Sequence, residues 1–258
     1  MFDALYIGAT GMQAQQTQVD AIANNLTNAN TPAYKKSRVS FTELVVRAAQ
    51  PAAGAAPLAA VPGTGAGVAL ASTVKVFEPG ELKKTESAMD IAIQGDGFLE
   101  LAMTDGTRAY TRGGSLKVNA EGHLATLAGV PLKPGITIPE GASAVVIAAS
   151  GRVQVQLKGQ TTPVEAGQLE MVRFTNAQGL LAQGGNVYRA TEASGEPIGG
   201  KPGEDGLGTV AQGFLEGSNV MMVEEMVNLM VAQRAYEASV KVVQASDEML
   251  GMINGLRR

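Results

Sequence analysis

No cysteine and no tryptophan occur in this sequence, His123 is its one histidine, and aromatic residues make up only 4% of it. Without cysteine there is no disulfide staple, which fits a cytosolic protein and equally one that works unstapled in an oxidising compartment. A single histidine leaves no second imidazole for a metal site or the usual catalytic triad, and His123, in the turn-to-strand stretch "AEGHLAT", reads as a surface residue. Basic blocks are missing too. With a formal charge of −4 and both signs interspersed, there is no electrostatic footprint for nucleic acid or an anionic membrane. No stretch approaches the roughly 20 apolar residues of a membrane span, and the first residues lack the basic region of a cleavable secretory signal. The expectation is a chain that binds no nucleic acid and inserts into no membrane.

What is present is unevenly distributed. Charged residues are 17% of the chain, glycines number 32, and alanine, glutamine and asparagine recur towards both ends. A helix surface with many amides and few charges suits packing against other protein better than facing water alone. Near the start, Leu5, Met12, Val19 and Leu26 fall seven apart, with Ile22 three after Val19, a heptad-like stripe on one helix face. Gly8, Gln15 and Gln16 interrupt it. Pro32 restricts Thr31, and Asn28 and Asn30 tolerate left-handed backbone, so this helix should end near residue 30. Towards the other end, Met222, Leu229, Tyr236, Val243 and Leu250 form one seven-residue column and Met226, Gln233, Val240 and Asp247 a companion column. Ser218 or Asn219 offers an N-cap, and a helix from there to about Asn254 would be roughly 54 Å long.

Between the helices the texture changes. Residues 48 to 72 are rich in Ala, Gly and Pro and carry no charge, which reads as an extended or flexible connector. From about Val74 to Phe214, short β-like runs alternate with turn signals: "MDIAIQ" then "GDG", "FLELAM" then "TDG", "RAYTR" then "GG", "SLKVN" then "AEG". Further runs are "GITIP", "SAVVIAA", "RVQVQL", "QLEMVRF" and "NVYRAT". The fold class expected is α+β: discontinuous, coiled-coil-like terminal helices (1–36 and 215–258), a connector (37–73) and an inserted, mostly antiparallel β domain (74–214).

No catalytic chemistry emerges. "GTGAGV" at 63 to 68 follows a proline and opens no helix, so it is linker and not a dinucleotide loop. Ser72-Thr73-Val74-Lys75 has Ser-x-x-Lys spacing without its partner motifs. Asp96 and Asp105 each precede glycine, where turn chemistry accounts for them. Asn25-Leu26-Thr27 is a glycosylation sequon in form, placed inside a helix. No catalytic, cofactor-binding or metal-binding residue is expected.

Four asparagines fall within seven positions in "AIANNLTNANTPAYKK", residues 21 to 36. Asn24 and Asn25 are poor helix formers beside Leu26, and two readings are open. Asn28 and Asn30 cap the helix while Asn24 and Asn25 face water, or the amides bond neighbouring copies and fix register as a buried asparagine does in coiled coils. The stretch resembles the N-terminal signature of the bacterial flagellar rod and hook proteins, in Asn24-Asn25-Leu26, Asn28, Thr31 and Tyr34-Lys35, with Thr27 where that family usually has alanine. Residues 216 to 250 are similar to its C-terminal segment through Ser218-Asn219-Val220, Glu224-Glu225-Met226-Val227 and Gln233-Arg234-Ala235-Tyr236-Glu237. "GDGFLEL", "AYTRGGSLKVNAEGHLAT" and "PGITIP" look like the family's central body.

The resemblance, strongest to the distal-rod branch through "GITIP" and "QRAYE", implies a structural subunit of the periplasm-spanning rod. Such a subunit would be exported without a cleaved signal and polymerise through its terminal helices. The implied assembly residues are Leu5, Met12, Val19, Ile22, Asn24, Asn25, Leu26, Asn28, Met222, Met226, Leu229, Gln233, Tyr236, Val240, Val243 and Leu250. The implied partners are further copies of the chain, proximal-rod and hook-side axial proteins, the P- and L-ring proteins and the flagellar export apparatus. A proximal-rod subunit, a β-rich binding module oligomerised by its helices, and a cell-wall hydrolase are the competing readings, the last lacking any plausible acid pair.

Overall fold

The computed structural model describes residues 2–46, 64–103, 105–159 and 162–256. The chain divides into two units, one of residues 1–27, 37–74 and 221–258 and the other of residues 28–36 and 75–220. The fold is α+β, with helices at both ends of the sequence and antiparallel strands between them.

The first unit holds α1 (Phe2–Thr27), α2 (Met222–Leu256) and a ribbon of β1 (Ser37–Val46) and β2 (Thr64–Lys75). Both helices lie where the heptad columns place them, but their ends differ from expectation. α1 stops at Thr27, and the left-handed residue after it is Ala33 (φ 58°) rather than an asparagine. Ala33 is buried and its N–H donates to the Glu216 carbonyl at 2.7 Å, so a backbone contact overrides residue preference. α2 begins at Met222, because the Asn219 amide is engaged elsewhere, accepting the Lys36 N–H and donating to the carbonyls of Val76 and Glu78.

The two helices pack antiparallel through small residues. Towards α1, α2 turns Glu225, Leu229, Ala232, Ser239, Val243, Ser246 and Leu250, of which Glu225, Ala232 and Ser246 are buried. On α1, a Cβ at Gly8 would lie 2.6 Å from Val243 Cγ2, and one at Gly11 3.4 Å from Ser239 Oγ. The companion column of α2 is therefore Glu225, Ala232, Ser239 and Ser246, one residue before the expected Met226, Gln233, Val240 and Asp247. Close packing of two backbones selects size here before hydrophobicity. The ribbon meets α1 in the same way: Gly67 (φ 107°) sits so close to Thr10 that no Cβ fits between them. Of the residues expected to form a connector, 37–46 and 64–73 are thus paired strand, while 47–63 lie outside the described residues.

The second unit contains β3 (Leu82–Lys84), β4 (Asp90–Gln94), β5 (Phe98–Ala102), β6 (Arg108–Thr111), β7 (Gly113–Val118), β8 (Leu124–Thr126), β9 (Ala142–Ile147), β10 (Arg152–Leu157), β11 (Val164–Gln168), β12 (Met171–Arg173), β13 (Leu181–Gly184), β14 (Val187–Arg189), β15 (Ile198–Gly200), β16 (Thr209–Gln212) and β17 (Phe214–Glu216). They form sheets ordered β13-β14-β6-β5-β12-β15, β16-β4-β7-β8, β11-β10-β9 and β17-β3. The six-stranded sheet is covered on both faces by strict alternation. Leu99, Leu101, Ala109 and Met171 face a core shared with Ile91, Ile93, Leu124, Val153 and Val155. Phe98, Tyr110, Val172 and Tyr188 face an aromatic cluster with Phe77 and Phe174, in edge-on contacts of 4.8 to 6.1 Å.

Two of the expected hairpins are sheet crossings instead. β4 and β5, either side of "GDG", belong to different sheets, as do β6 and β7, the second of which begins with "GG". Gly95, Gly97 and Gly113 take φ of 109°, 133° and 108°, and a Cβ at Gly113 would lie 2.8 Å from the Ile91 carbonyl oxygen. "TDG" and "AEG" do close hairpins. Asp105 Oδ1 accepts from the Thr107 N–H and hydroxyl, and Asn119 Oδ1 from the N–H groups of Glu121 and His123. "GITIP" pairs only through the isolated bridge His123↔Thr137.

Candidate functional site

Within the β-rich unit, the lysine of the "AYKK" motif is fully buried. Lys35 Nζ donates to Glu216 Oε1 at 2.7 Å and to the Glu78 carbonyl at 2.7 Å. Glu216, the last residue of β17, also accepts the Gly80 N–H at 3.0 Å, and its Oε2 takes Arg112 Nε at 3.3 Å. Arg112, between β6 and β7, gives its Nη1 and Nη2 to the carbonyls of Gly97 and Gly95. One carboxylate thereby joins four stretches of chain. Lys75 Nζ adds a bond to the Lys35 carbonyl at 2.9 Å and lies 4.2 Å from the centre of the Tyr34 ring.

Desolvation pulls the Lys35 ammonium below the ordinary lysine value, with Glu216 opposing the shift, and burial does the same to Lys75. Lys35, Arg112 and Glu216 are 0–2% exposed, so almost none of the cluster reaches solvent. Its hydrogen bonds are spent on the protein's own backbone, which is the chemistry of a clamp. Among the described residues no group of three or more acidic or histidine side chains is placed to hold a metal ion.

In the helical unit, Asn25 alone of the amide cluster is buried. Its Oδ1 accepts the Ser37 N–H at 2.8 Å, and its Nδ2 donates to the Ser37 carbonyl at 3.0 Å and to Glu225 Oε2 at 3.3 Å. The amide thus reproduces the donor and acceptor of a neighbouring strand and starts β1, which an ionised carboxylate, having no donor, could not do. Asn24 is exposed, and Asn28 turns the chain through bonds with Thr31. Asn25→Ala strips Ser37 and Glu225 of these partners and should lower stability by about 3 kcal/mol, read as an earlier loss of helical circular dichroism on heating. An unchanged melt refutes this account.

The other expected assembly residues divide by exposure. Ile22 is buried, and Leu5, Met12, Val19, Leu26, Leu229, Val240, Val243 and Leu250 are half-buried along the helix pair. Met222, Met226, Gln233 and Tyr236 are exposed. With Val223, Val227, Met230 and Val231, the exposed methionines form two adjoining columns at i, i+4 on the first turns of α2. The heptad columns reach Met222 and Met226 of this face but not Val223, Val227, Met230 and Val231, because a seven-residue column marks one stripe whereas α2 is apolar on two sides. Sequence reasoning also missed Arg112 and Glu216, which carry no local signal: they lie 104 residues apart and 77 and 181 from Lys35.

Three family models match the chain. These are "Flagella basal body rod protein" over residues 5–35, "Flagellar hook protein FlgE/F/G D1 domain" over residues 92–155 and "Flagellar basal body rod FlgEFG protein C-terminal" over residues 211–256. The chain is 43% identical to "Flagellar basal-body rod protein FlgG" of Borreliella burgdorferi, with both chains covered in full. From Caulobacter vibrioides it is 39% identical to FlgG over 98% of this chain and 99% of that one, and 31% identical to FlgF over 98% and 100%.

Proposed function

The chain belongs to the flagellar basal-body rod protein family, and from that premise we propose that it is a subunit of the distal rod, polymerising through α1 and α2 into the shaft that carries torque from motor to hook. Greater similarity to FlgG than to FlgF of the same bacterium supports the distal over the proximal position. The observation that carries the polymerisation is the bare Met222–Val231 face of α2, an apolar surface of the kind that marks contact with other protein. In this reading the helices form the inner axial layer and the β-rich unit the outer one. Proximal-rod and hook-side axial proteins bound the polymer, the P and L rings surround it, and the export apparatus delivers it across the inner membrane without a cleaved signal.

The helix seam explains why order and assembly are coupled. A seam that sets Gly8, Gly11, Ala232, Ser239 and Ser246 among the half-buried Leu229, Val243 and Leu250 buries less apolar surface than one of large side chains throughout, so two long helices gain further stability from neighbours. Limited proteolysis of the purified chain with mass spectrometry, followed by electron microscopy of the concentrated protein, tests this. Cuts should fall within residues 1–27 and 221–258, and only the uncut chain should form straight tubes. Protected ends in a closed oligomer that never polymerises would move the reading to a β-rich binding module.

A further inference from the structure

The register of the helix pair is fixed at three places: Asn25 bonds Glu225, Gly11 faces Ser239 and Gly8 faces Val243. Continued at helical rise, the first residue of α1 falls beside about residue 248. α2 runs on to Leu256, so its last two turns have no α1 alongside them. That overhang is apolar: Met249, Met252 and Ile253 are 43%, 63% and 47% exposed. Ile253 is the next position of the column holding Val243, Ser246 and Leu250, so the seam itself continues past the end of its partner helix. A Cβ placed on Gly251 or Gly255 would meet nothing within 4 Å, which leaves room for another helix to approach as closely as α1 does at Gly8.

At its other end α2 carries the bare face of Met222, Val223, Met226, Val227, Met230 and Val231. We propose that the overhang of one copy, Met249 to Ile253, docks on the Met222–Val231 face of α2 in a second copy, head to tail. Three features favour this occupant. Both patches are rich in methionine, whose flexible thioether adapts to an irregular partner surface. The overhang prolongs an existing helix–helix seam, so what completes it is another helix. The two patches are different surfaces on one rigid element, and a contact between unlike surfaces leaves one of each free on every added copy, so it propagates as an open filament wherever its rotation does not close a ring. Self-pairing of either patch would stop at two copies. The proposal rests on the rod-subunit reading and adds which ends meet.

Disulfide trapping tests it cleanly, since the chain has no cysteine. Positions 226 and 252 are about 39 Å apart along α2, and a disulfide needs Cα atoms within roughly 7 Å, so a bridge between them joins two copies. The full-length chain carrying Met226→Cys and Met252→Cys should be polymerised, oxidised and run without reductant, beside each single variant and a Lys241→Cys/Met252→Cys control. The proposal expects a ladder of dimers, trimers and higher species from the first pair alone. Tubes seen by microscopy without a ladder overturn the proposal and leave the rod reading standing, as does a dimer from Met252→Cys alone, which would mean that the overhang pairs with itself. A chain that forms no tubes in any variant or in the parent overturns both.

Discussion

Replacing Glu216 by alanine is expected to lower the melting temperature of the β-rich unit by roughly 10 °C. The carboxylate is 2% exposed and holds Lys35, Arg112 and the Gly80 N–H together. Its removal leaves two buried cations beside each other with no anion, a defect that costs about 3–5 kcal/mol, and each kcal/mol shifts a domain of this size by about 2–4 °C. Lys35→Met should cost much less, because Glu216 keeps Arg112 and Gly80 and the burial of an ammonium is relieved. Differential scanning calorimetry of the two variants decides the matter: equal losses, or a larger loss for Lys35→Met, would show that the carboxylate is not the hub. The lysine also sets a pH dependence. Its folded value lies below the 10.5 of a free lysine, so the unfolded chain binds the proton more tightly. Stability therefore rises with pH between the lowered value and 10.5, and Lys35→Met should flatten that rise.

The second large effect is expected on assembly and not on folding. Met226 and Met230 are 53% and 58% exposed, so Met226→Asp with Met230→Asp should change monomer stability by no more than about 0.5 kcal/mol at each site. In a polymer the same face is covered, and two carboxylates taken out of water without partners cost several kcal/mol. The concentration required for assembly should rise at least about 100-fold, seen as loss of tubes by microscopy and loss of swimming when the variant is the cell's only copy. Normal motility with an unchanged melting curve would remove this face from the polymer contact.

Much of the fold is legible because it rests on period. The heptad columns placed both helices, and two-residue alternation placed β5, β6, β10 and β14 within a residue or two, since a buried face must recur at the pitch of its element. The rest was not legible for two reasons. Hydrophobic spacing finds large side chains such as Leu229, Val243 and Leu250 and passes over small ones, so Ala232, Ser239 and Ser246 carry no signal of the seam they share. The turn signals at "GDG" and "GG" do not tell a strand reversal from a sheet crossing, because a positive-φ glycine looks the same in sequence whether the chain turns back or crosses to another sheet.

The sequence by itself determined the family, the terminal helices and the β-rich middle, because each of these is written in local pattern or in motifs carried on contiguous residues. Only the tertiary structure decided what the motifs hold. It turned Asn25 into the anchor of β1 and Glu225, and it brought Lys35, Arg112 and Glu216 from three remote stretches into one buried clamp. A buried charge is defined by its partners, and partners that lie a hundred residues apart meet only when the chain has folded.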